Sequence, residues 1–463
     1  MTSTNNFKNK KVLIFGLGLL GGGVATTNWF LKQGAKVTIT DLHTKKELAD
    51  SLAKIKGKVK LSLGSNHAKD IGANDIIVVN PAVSVRNLLI RQAIKEKKLV
   101  INDGLIFYSL YKKPIIGITG TRGKTTVARW TTHLMGEKTI LAGNNPEHQF
   151  LKVSSFKFKS LKWAVTEMSS YQLELFSSKT RRPDIALVTN VYQDHFNRYK
   201  NYRDYVKTKA NLFIGQTEDQ HLILNYDNTW TPFFLTLPRK SAMWFFSVKP
   251  LPKELDGLYW DAGKLWFQER NKALAVVIDL QGFVSAWGNH NVENLMAAAL
   301  AAHLAGTSWN NIASRIGTLP QIPFRQQIIF KGPKLTIIND TAATSPEGTI
   351  AAVQRFGPPT TILITGGTDA KLEFENWAKI IKNYVLPDNL IFLNGSATKK
   401  MLKALKTPSV LIYETLEQCL AIALEKAKIF PSATILFSPA SKSFEKFKNE
   451  YDHDKILDES EQV

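Results

Sequence analysis

Ile115-Ile116-Gly117-Ile118-Thr119 is an apolar run that gives way to Gly120-Thr121-Arg122-Gly123-Lys124-Thr125-Thr126. No other stretch restricts the fold as much. The apolar run reads as a buried strand and the residues from about Thr125 as a helix, with a glycine-bearing loop between them. A strand that ends in such a loop and returns through a helix is the repeating unit of a parallel sheet. Residues 11–41 repeat the pattern. A strand over Lys11–Phe15 leads into Gly16, Gly18 and Gly21, spaced as G-x-G-x-x-G, then a helix over Val24–Gln33 closed by Gly34, then a strand over Lys36–Asp41. Further strands are expected at Asp75–Asn80, Leu99–Asn102, Trp163–Glu167 and Asp184–Asn190. From Lys334 a third alternation begins, with strands at Leu335–Asn339, Thr361–Thr365, Asn389–Leu393, Val410–Tyr413 and Thr434–Phe437. The region Thr229–Gln281, rich in Trp, Phe and Pro, reads as a β insertion, and Val292–Leu304 as an alanine-rich helix. The fold class is therefore α/β, doubly wound.

At about 150 residues per domain, a chain of 463 residues holds three. The best boundaries lie near 112 and 322, giving domains 1–112, 113–322 and 323–463. The net charge of +21 divides between them as +11, +9 and +1. Such an excess suits an acidic partner (nucleic acid, anionic lipid or phosphorylated small molecules) or a set of solvated lysines. The single cysteine, Cys419, excludes a disulfide scaffold and a Cys-based metal centre. No apolar run reaches the roughly 18 residues of a membrane span. Lys8, Lys10 and Lys11 before Val12–Phe15 mimic a signal peptide, but a glycine loop follows instead of a cleavage pattern. A cytoplasmic protein is expected.

The loop Gly120–Thr126 has the parts of a phosphate cradle. Its backbone N–H groups and the helix N-terminus face an anion, Lys124 neutralises β- and γ-phosphates, and Thr125 can hold Mg²⁺. It is a variant, since Ile118 stands where the general pattern has glycine. Glu167 ends a strand, the place for a metal-holding carboxylate near such a loop. Asp194 and His195 follow the strand Asp184–Asn190 in the same way. Lys209, by pattern alone, is a solvated lysine. Asn291 and Asn294 open the alanine-rich helix, where their amides either read an adenine edge or cap the helix. Asp340 ends the first strand of the third unit, at the ligand edge of an open sheet.

In this order the segments GLGLLG (16–21), TGTRGKTT (119–126), TEMSSYQLE (166–174), NVYQDHFNRY (190–199) and GNHNVEN (288–294) resemble the Mur ligase family over essentially the whole chain. NDTAAT (339–344) and SPASKSFEKFKNEY (438–451) resemble its D-glutamate-adding branch. The resemblance implies a Rossmann-like domain for a UDP-sugar, a central P-loop ATPase-type domain, and a Rossmann-like C-terminal domain that helps bind the amino acid. It implies an ATP-dependent ligation of D-glutamate to UDP-N-acetylmuramoyl-L-alanine through an acyl phosphate, in peptidoglycan precursor synthesis. By the same resemblance, Gly18, Leu19, Leu20, Asp41 and Asn144 would bind the UDP substrate. Gly120 to Thr126, Asn291, Asn294, Arg325 and Asp340 would bind ATP, and Lys371, Ser443 and Tyr451 the amino acid. Lys124, His195 and Lys209 would be catalytic. Thr125, Glu167, His195 and a carbamylated Lys209 would serve two Mg²⁺ ions. The partners are then small molecules alone, with no nucleic acid and no membrane insertion, and the protein a monomer.

Several positions depart from the family pattern. Arg122 stands where Asn is usual, Leu20 replaces a frequent Thr, and His43 replaces an Arg. Ala342 takes the place of a lysine after Asp340, and Lys371 is displaced by one residue. These departures keep open a relative that adds L-glutamate or another amino acid. A more distant alternative is a basic P-loop ATPase acting on nucleic acid.

Overall fold

The computed structural model describes residues 7–153, 160–193, 198–357, 360–369, 372–407 and 411–441. Three sheets follow one another along the chain. The first holds β1 (Lys11–Phe15), β2 (Lys36–Asp41), β3 (Lys60–Leu63), β4 (Ile76–Val79) and β5 (Leu99–Ile101), all parallel, in the order β3-β2-β1-β4-β5. Alternate residues of β1 and β4 go to opposite faces. Val12, Ile14, Ile76 and Val78 pack with Trp29 and Phe30, whereas Leu13, Phe15, Ile77 and Val79 pack with Ile90 and Ala93. Burial on both faces explains why these strands are unbroken apolar runs.

The second sheet comprises β6 (Ile115–Thr119), β7 (Thr139–Gly143), β8 (Trp163–Glu167), β9 (Ile185–Val188), β10 (His221–Asn225), β11 (Ala242–Ser247), β12 (Gly257–Asp261), β13 (Lys264–Gln268) and β14 (Ala275–Asp279). Its order is β14-β13-β12-β11-β10-β9-β6-β8-β7. The region expected to be a β insertion joins this sheet and extends it. It starts with a helix, Thr231–Leu235. Strands β11 and β12 then continue the parallel order, and only β13 and β14 run antiparallel. The cause is that Phe245, Phe246 and Leu258 are buried and need the cover of a large sheet.

The third sheet runs β15 (Gln327–Lys331), β16 (Leu335–Asn339), β20 (Ala433–Phe437), β17 (Thr361–Thr365), β18 (Leu390–Leu393) and β19 (Leu411–Tyr413), in that spatial order. Only β15 is antiparallel to its neighbour. Trp377 covers one face, and Leu416 with Cys419 the other. The chain resolves into two compact units, Met1–Gln281 with Val292–Leu319 and Gly282–Asn291 with Pro320–Val463.

Within the first unit, the loop that follows β4 is fastened to the second sheet. Arg198 donates to both carboxylate oxygens of Glu174, at 2.8 and 2.7 Å, and the two side chains are each 7% exposed. The same guanidinium donates to the carbonyls of Pro81, Ala82 and Val83 and lies 3.9 Å from the Tyr171 ring centroid. Arg86 returns the contact, bonding the Arg198 carbonyl and Asp204.

Candidate functional site

Strand β6 lies between β8 and β9, all parallel, so the segments leaving their carboxyl ends converge at one edge. From β6 come Gly120 to Thr126, with Gly123 in the left-handed region (φ 80) as N-cap of the helix Lys124–Met135. From β8 comes Glu167, and from β9 come Thr189 and Asn190. Asn190 shapes the loop: its carbonyl accepts from the Thr121 N–H at 2.9 Å and its Oδ1 from the Arg122 N–H at 2.9 Å. The Thr189 hydroxyl donates to the Arg122 carbonyl at 2.7 Å. A Cβ at Gly120 would sit 1.8 Å from the Thr189 hydroxyl, so the approach of β9 requires glycine there. Lys124 folds back, its Nζ donating to the Thr121 carbonyl at 3.1 Å. Asn294 packs against Gly123, where an added Cβ would meet its Oδ1 at 2.2 Å.

Glu167 is 6% exposed, and its carboxylate has no hydrogen-bond or ion-pair partner among the described residues. A buried, unpaired carboxylate is costly unless a cation meets it. With the Thr125 hydroxyl in the first turn of the helix that follows β6, this donor set fits Mg²⁺, an ion that takes few protein oxygens and completes its shell with phosphate and water. Among the described residues there is no cluster of three His, Cys, Asp or Glu side chains able to hold a metal alone.

Lys209 is not the solvated lysine its local pattern suggests. It is 1% exposed, donates from Nζ to the Gly120 carbonyl at 2.7 Å, and lies 4.3 Å from the Tyr205 ring centroid. Tyr205, one turn earlier on the helix Tyr202–Ala210, shares a hydrogen bond of 3.0 Å with the Thr121 hydroxyl. Sequence reasoning missed Tyr205. Its i,i+4 spacing to Lys209 places both on one helix face, which was the available signal.

In the first sheet the glycine loop wraps a carboxylate. Asp41 Oδ2 accepts from the N–H groups of Leu17 and Gly18, at 2.8 and 3.0 Å. Its Oδ1 accepts from the His43 N–H and meets His43 Nδ1 at 2.7 Å. Burial pushes the Asp41 carboxyl up, but the bonds from Gly18 and His43 outweigh that and leave it below its ordinary value. Leu19 and Leu20 are exposed beside it. Asn144 follows β7, next to Glu167, and its N–H donates to the Glu167 carbonyl at 3.2 Å.

In the second unit Asp340 is buried at the end of β16. It accepts from the Ser438 hydroxyl at 2.7 Å and from the Gln326 N–H at 3.0 Å. Desolvation pushes its carboxyl up to about 7, against the pull of these bonds and of Arg325 and Arg355. Exposed Arg325 sits between Phe324 (φ 64) and Gln326 (φ 49), two non-glycine residues in the left-handed region. Asn291 donates to the Trp287 carbonyl at 2.8 Å. Burial, then nearby Arg355, lowers the adjacent His290 to about 4, so it is neutral at pH 7. His195, Lys371, Ser443 and Tyr451 lie outside the described residues.

Residues 118–302 match the Mur ligase middle domain, and residues 10–102 match the Mur ligase MurD-like N-terminal domain. The UDP-N-acetylmuramoylalanine–D-glutamate ligase of Borreliella afzelii (strain PKo) is 31% identical over 459 residues, spanning 97% of this chain and 96% of the relative. The ligase of the same name from Roseiflexus sp. (strain RS-1) is 29% identical, with 96% of each chain covered. Among solved structures, the UDP-N-acetylmuramate-alanine ligase of Thermotoga maritima aligns with a TM-score of 0.57 at 16% identity, over 98% of this chain and 100% of that one. The UDP-N-acetylmuramoylalanyl-D-glutamyl-2,6-diaminopimelate–D-alanyl-D-alanyl ligase of Acinetobacter baumannii aligns with a TM-score of 0.59 at 14% identity, over 98% and 93%. These two show the fold alone.

Proposed function

The chain belongs to the Mur ligase family, and on that premise we infer that it joins D-glutamate to UDP-N-acetylmuramoyl-L-alanine at the expense of ATP, as a step of peptidoglycan precursor synthesis. The observation that carries the reading is the juxtaposition of the Gly120–Thr126 loop with Glu167, a buried carboxylate without a partner among the described residues, in a chain related over 97% of its length to a ligase of that name.

A carboxylate resists attack by an amine until one oxygen becomes a leaving group. The γ-phosphoryl group therefore passes to the substrate carboxylate, the amine of D-glutamate adds to the acyl phosphate, and the tetrahedral adduct collapses to amide and inorganic phosphate. Phosphoryl transfer needs positioning and charge neutralisation more than covalent help. The N–H groups of Gly120 to Thr126 and the helix dipole hold the phosphates, and Lys124 swings from the Thr121 carbonyl to neutralise them. Thr125 and Glu167 would hold Mg²⁺, with His195 and Lys209 serving a second ion, and the metal supplies electrostatic stabilisation of the transferring group. Buried Lys209 and Tyr205 brace the loop from behind; carbamylation of Lys209 would replace its donor with anionic oxygens.

Gly18, Leu19, Leu20, Asp41 and Asn144 are assigned to the UDP substrate. Asn291, Asn294, Arg325 and Asp340 are assigned to ATP, and Lys371, Ser443 and Tyr451 to the amino acid. Residues 1–112, 113–322 and 323–463 are taken as the corresponding domains of a monomeric, cytoplasmic enzyme. The test is phosphate release by purified protein. Release must require ATP, Mg²⁺, UDP-N-acetylmuramoyl-L-alanine and D-glutamate together; release that ignores the UDP-sugar, or prefers L-glutamate, would overturn the assignment.

A further inference from the structure

Arg355 lies on the helix Pro346–Phe356 and has no role in the reaction described above. Its guanidinium bridges two separate segments of the second unit, one through a side chain and one through a backbone carbonyl. Nη1 donates to the Gln326 Oε1 at 3.1 Å, and Nη2 donates to the Ala286 carbonyl. The same group lies 5.6 Å from the Trp287 ring centroid and 4.4 Å from that of Phe356. Next along the chain, Gly288 is in the left-handed region, and a Cβ there would come within 3.6 Å of the Arg355 Cδ. The arginine is thus the clip between segment Ala286–Asn291 and the corner Phe324–Gln326. Gln326 passes the connection on, its N–H holding Asp340. The Arg355 Nε–H is buried with no acceptor among the described residues. A donor left unpaired in this way costs stability, so stability alone does not account for an arginine here.

We infer that Arg355 is a positioning residue for the nucleotide, setting Asn291 on one side and Arg325 with Asp340 on the other in fixed register. The inference rests on the ATP-ligase reading above. It goes beyond it by identifying what aligns the two groups of nucleotide contacts and by making base discrimination depend on that alignment. Only a planar fork can reach both acceptors while stacking on an indole. A lysine places a point charge at one of them and abandons the other.

The experiment titrates ATP, and separately GTP, into the full chain by calorimetry, for wild type, Arg355→Lys and Arg355→Ala. At metal sites, loss of a residue that orients a ligand typically costs about 10–100-fold in affinity, and the lower end of that range is the scale taken for Arg355. Arg355→Lys is expected to keep the wild-type melting temperature, to lose about 10-fold or more in ATP affinity, and to bind ATP and GTP with a narrower ratio. Its affinity for UDP-N-acetylmuramoyl-L-alanine should be unchanged. A folded Arg355→Lys with wild-type ATP affinity and wild-type ATP-to-GTP ratio would overturn the inference and leave the ligase reading intact. Equal loss of ATP and UDP-substrate binding in both variants would overturn it too, by showing a merely structural role. A wild-type protein that binds neither nucleotide would overturn the ligase reading and this inference with it.

Discussion

Replacing Glu174 by Gln removes one charge from the Arg198 ion pair while keeping the side chain's size and shape. In the native protein both partners are 7% exposed and joined by two hydrogen bonds, so Arg198 would be left buried without its counter-ion. Breaking a buried pair costs about 3–5 kcal/mol. Three carbonyls, those of Pro81, Ala82 and Val83, still accept from Arg198, which puts the expected cost at the low end, about 3 kcal/mol. For a unit this large each kcal/mol moves the melting temperature by about 2 °C, so Glu174→Gln should melt about 6 °C lower. The control is Lys240→Ala, which removes an ion pair whose side chains are 72% and 80% exposed. Such a pair contributes about 0–1 kcal/mol. Thermal unfolding followed by tryptophan fluorescence reads both. Because the fastened loop follows Asn80 at the end of β4, Glu174→Gln should also raise the KM for the UDP-sugar more than that for ATP. A melting shift no larger than that of Lys240→Ala, with both KM values unchanged, would refute the idea that this pair holds the first sheet's loop in place.

Lys124→Ala should reduce phosphate release about 10²–10³-fold, the usual cost of deleting one stabilising donor, with little change in melting temperature, since the Lys124 bond to the Thr121 carbonyl is a part-buried, local one within its own loop. Glu167→Gln should raise the Mg²⁺ concentration for half-maximal activity about tenfold or more. The metal-free protein should be no less stable, because the change removes a buried charge that lacks a partner among the described residues. Asp340→Asn should change the pH profile of unfolding. The folded Asp340 carboxyl titrates near 7 and the unfolded one near 3.8, so the native state binds the extra proton between those values. Its contribution therefore falls as pH rises through that window, and the wild-type-minus-variant difference should decline from pH 4 to 7 and then flatten. His290 has the opposite sign. Lowered to about 4 from 6.5, it lets the unfolded state bind more protons in between, so stability gained from pH 4 to 6.5 should disappear in His290→Asn.

The buried strands were the most legible part of the fold. Lys11–Phe15, Ile115–Thr119, Trp163–Glu167 and Thr361–Thr365 occupy the residues expected from their apolar runs. Apolar edge strands such as Leu99–Ile101 were legible too, but two polar edge strands were not. Lys60–Leu63 carries a charged, half-exposed pattern and reads as a solvated stretch, and Gln327–Lys331 is partly exposed along its length. At the candidate site, the placement of Glu167 at the end of β8 and of Gly120–Thr126 after β6 could be read from the strand pattern. Lys209 could not, because its burial comes from the Gly120 carbonyl, 89 residues away in sequence. Arg355 and Arg198 are invisible for the same reason: each reaches acceptors that only the tertiary fold brings within range.

The corner around Arg325 carries a cost that shapes what selection can do with it. Phe324 and Gln326 each hold a left-handed backbone that disfavours a side chain by about 1–2 kcal/mol. Glycine at either position would escape that strain and lose only about 0.5–1 kcal/mol to unfolded-chain entropy. At Gln326 the gain is opposed, because Gln326→Gly would surrender the buried side chain that Arg355 grips and leave that donor without its acceptor, at about 1–3 kcal/mol. Relief of backbone strain and a firm hold on Arg355 therefore pull this corner in opposite directions.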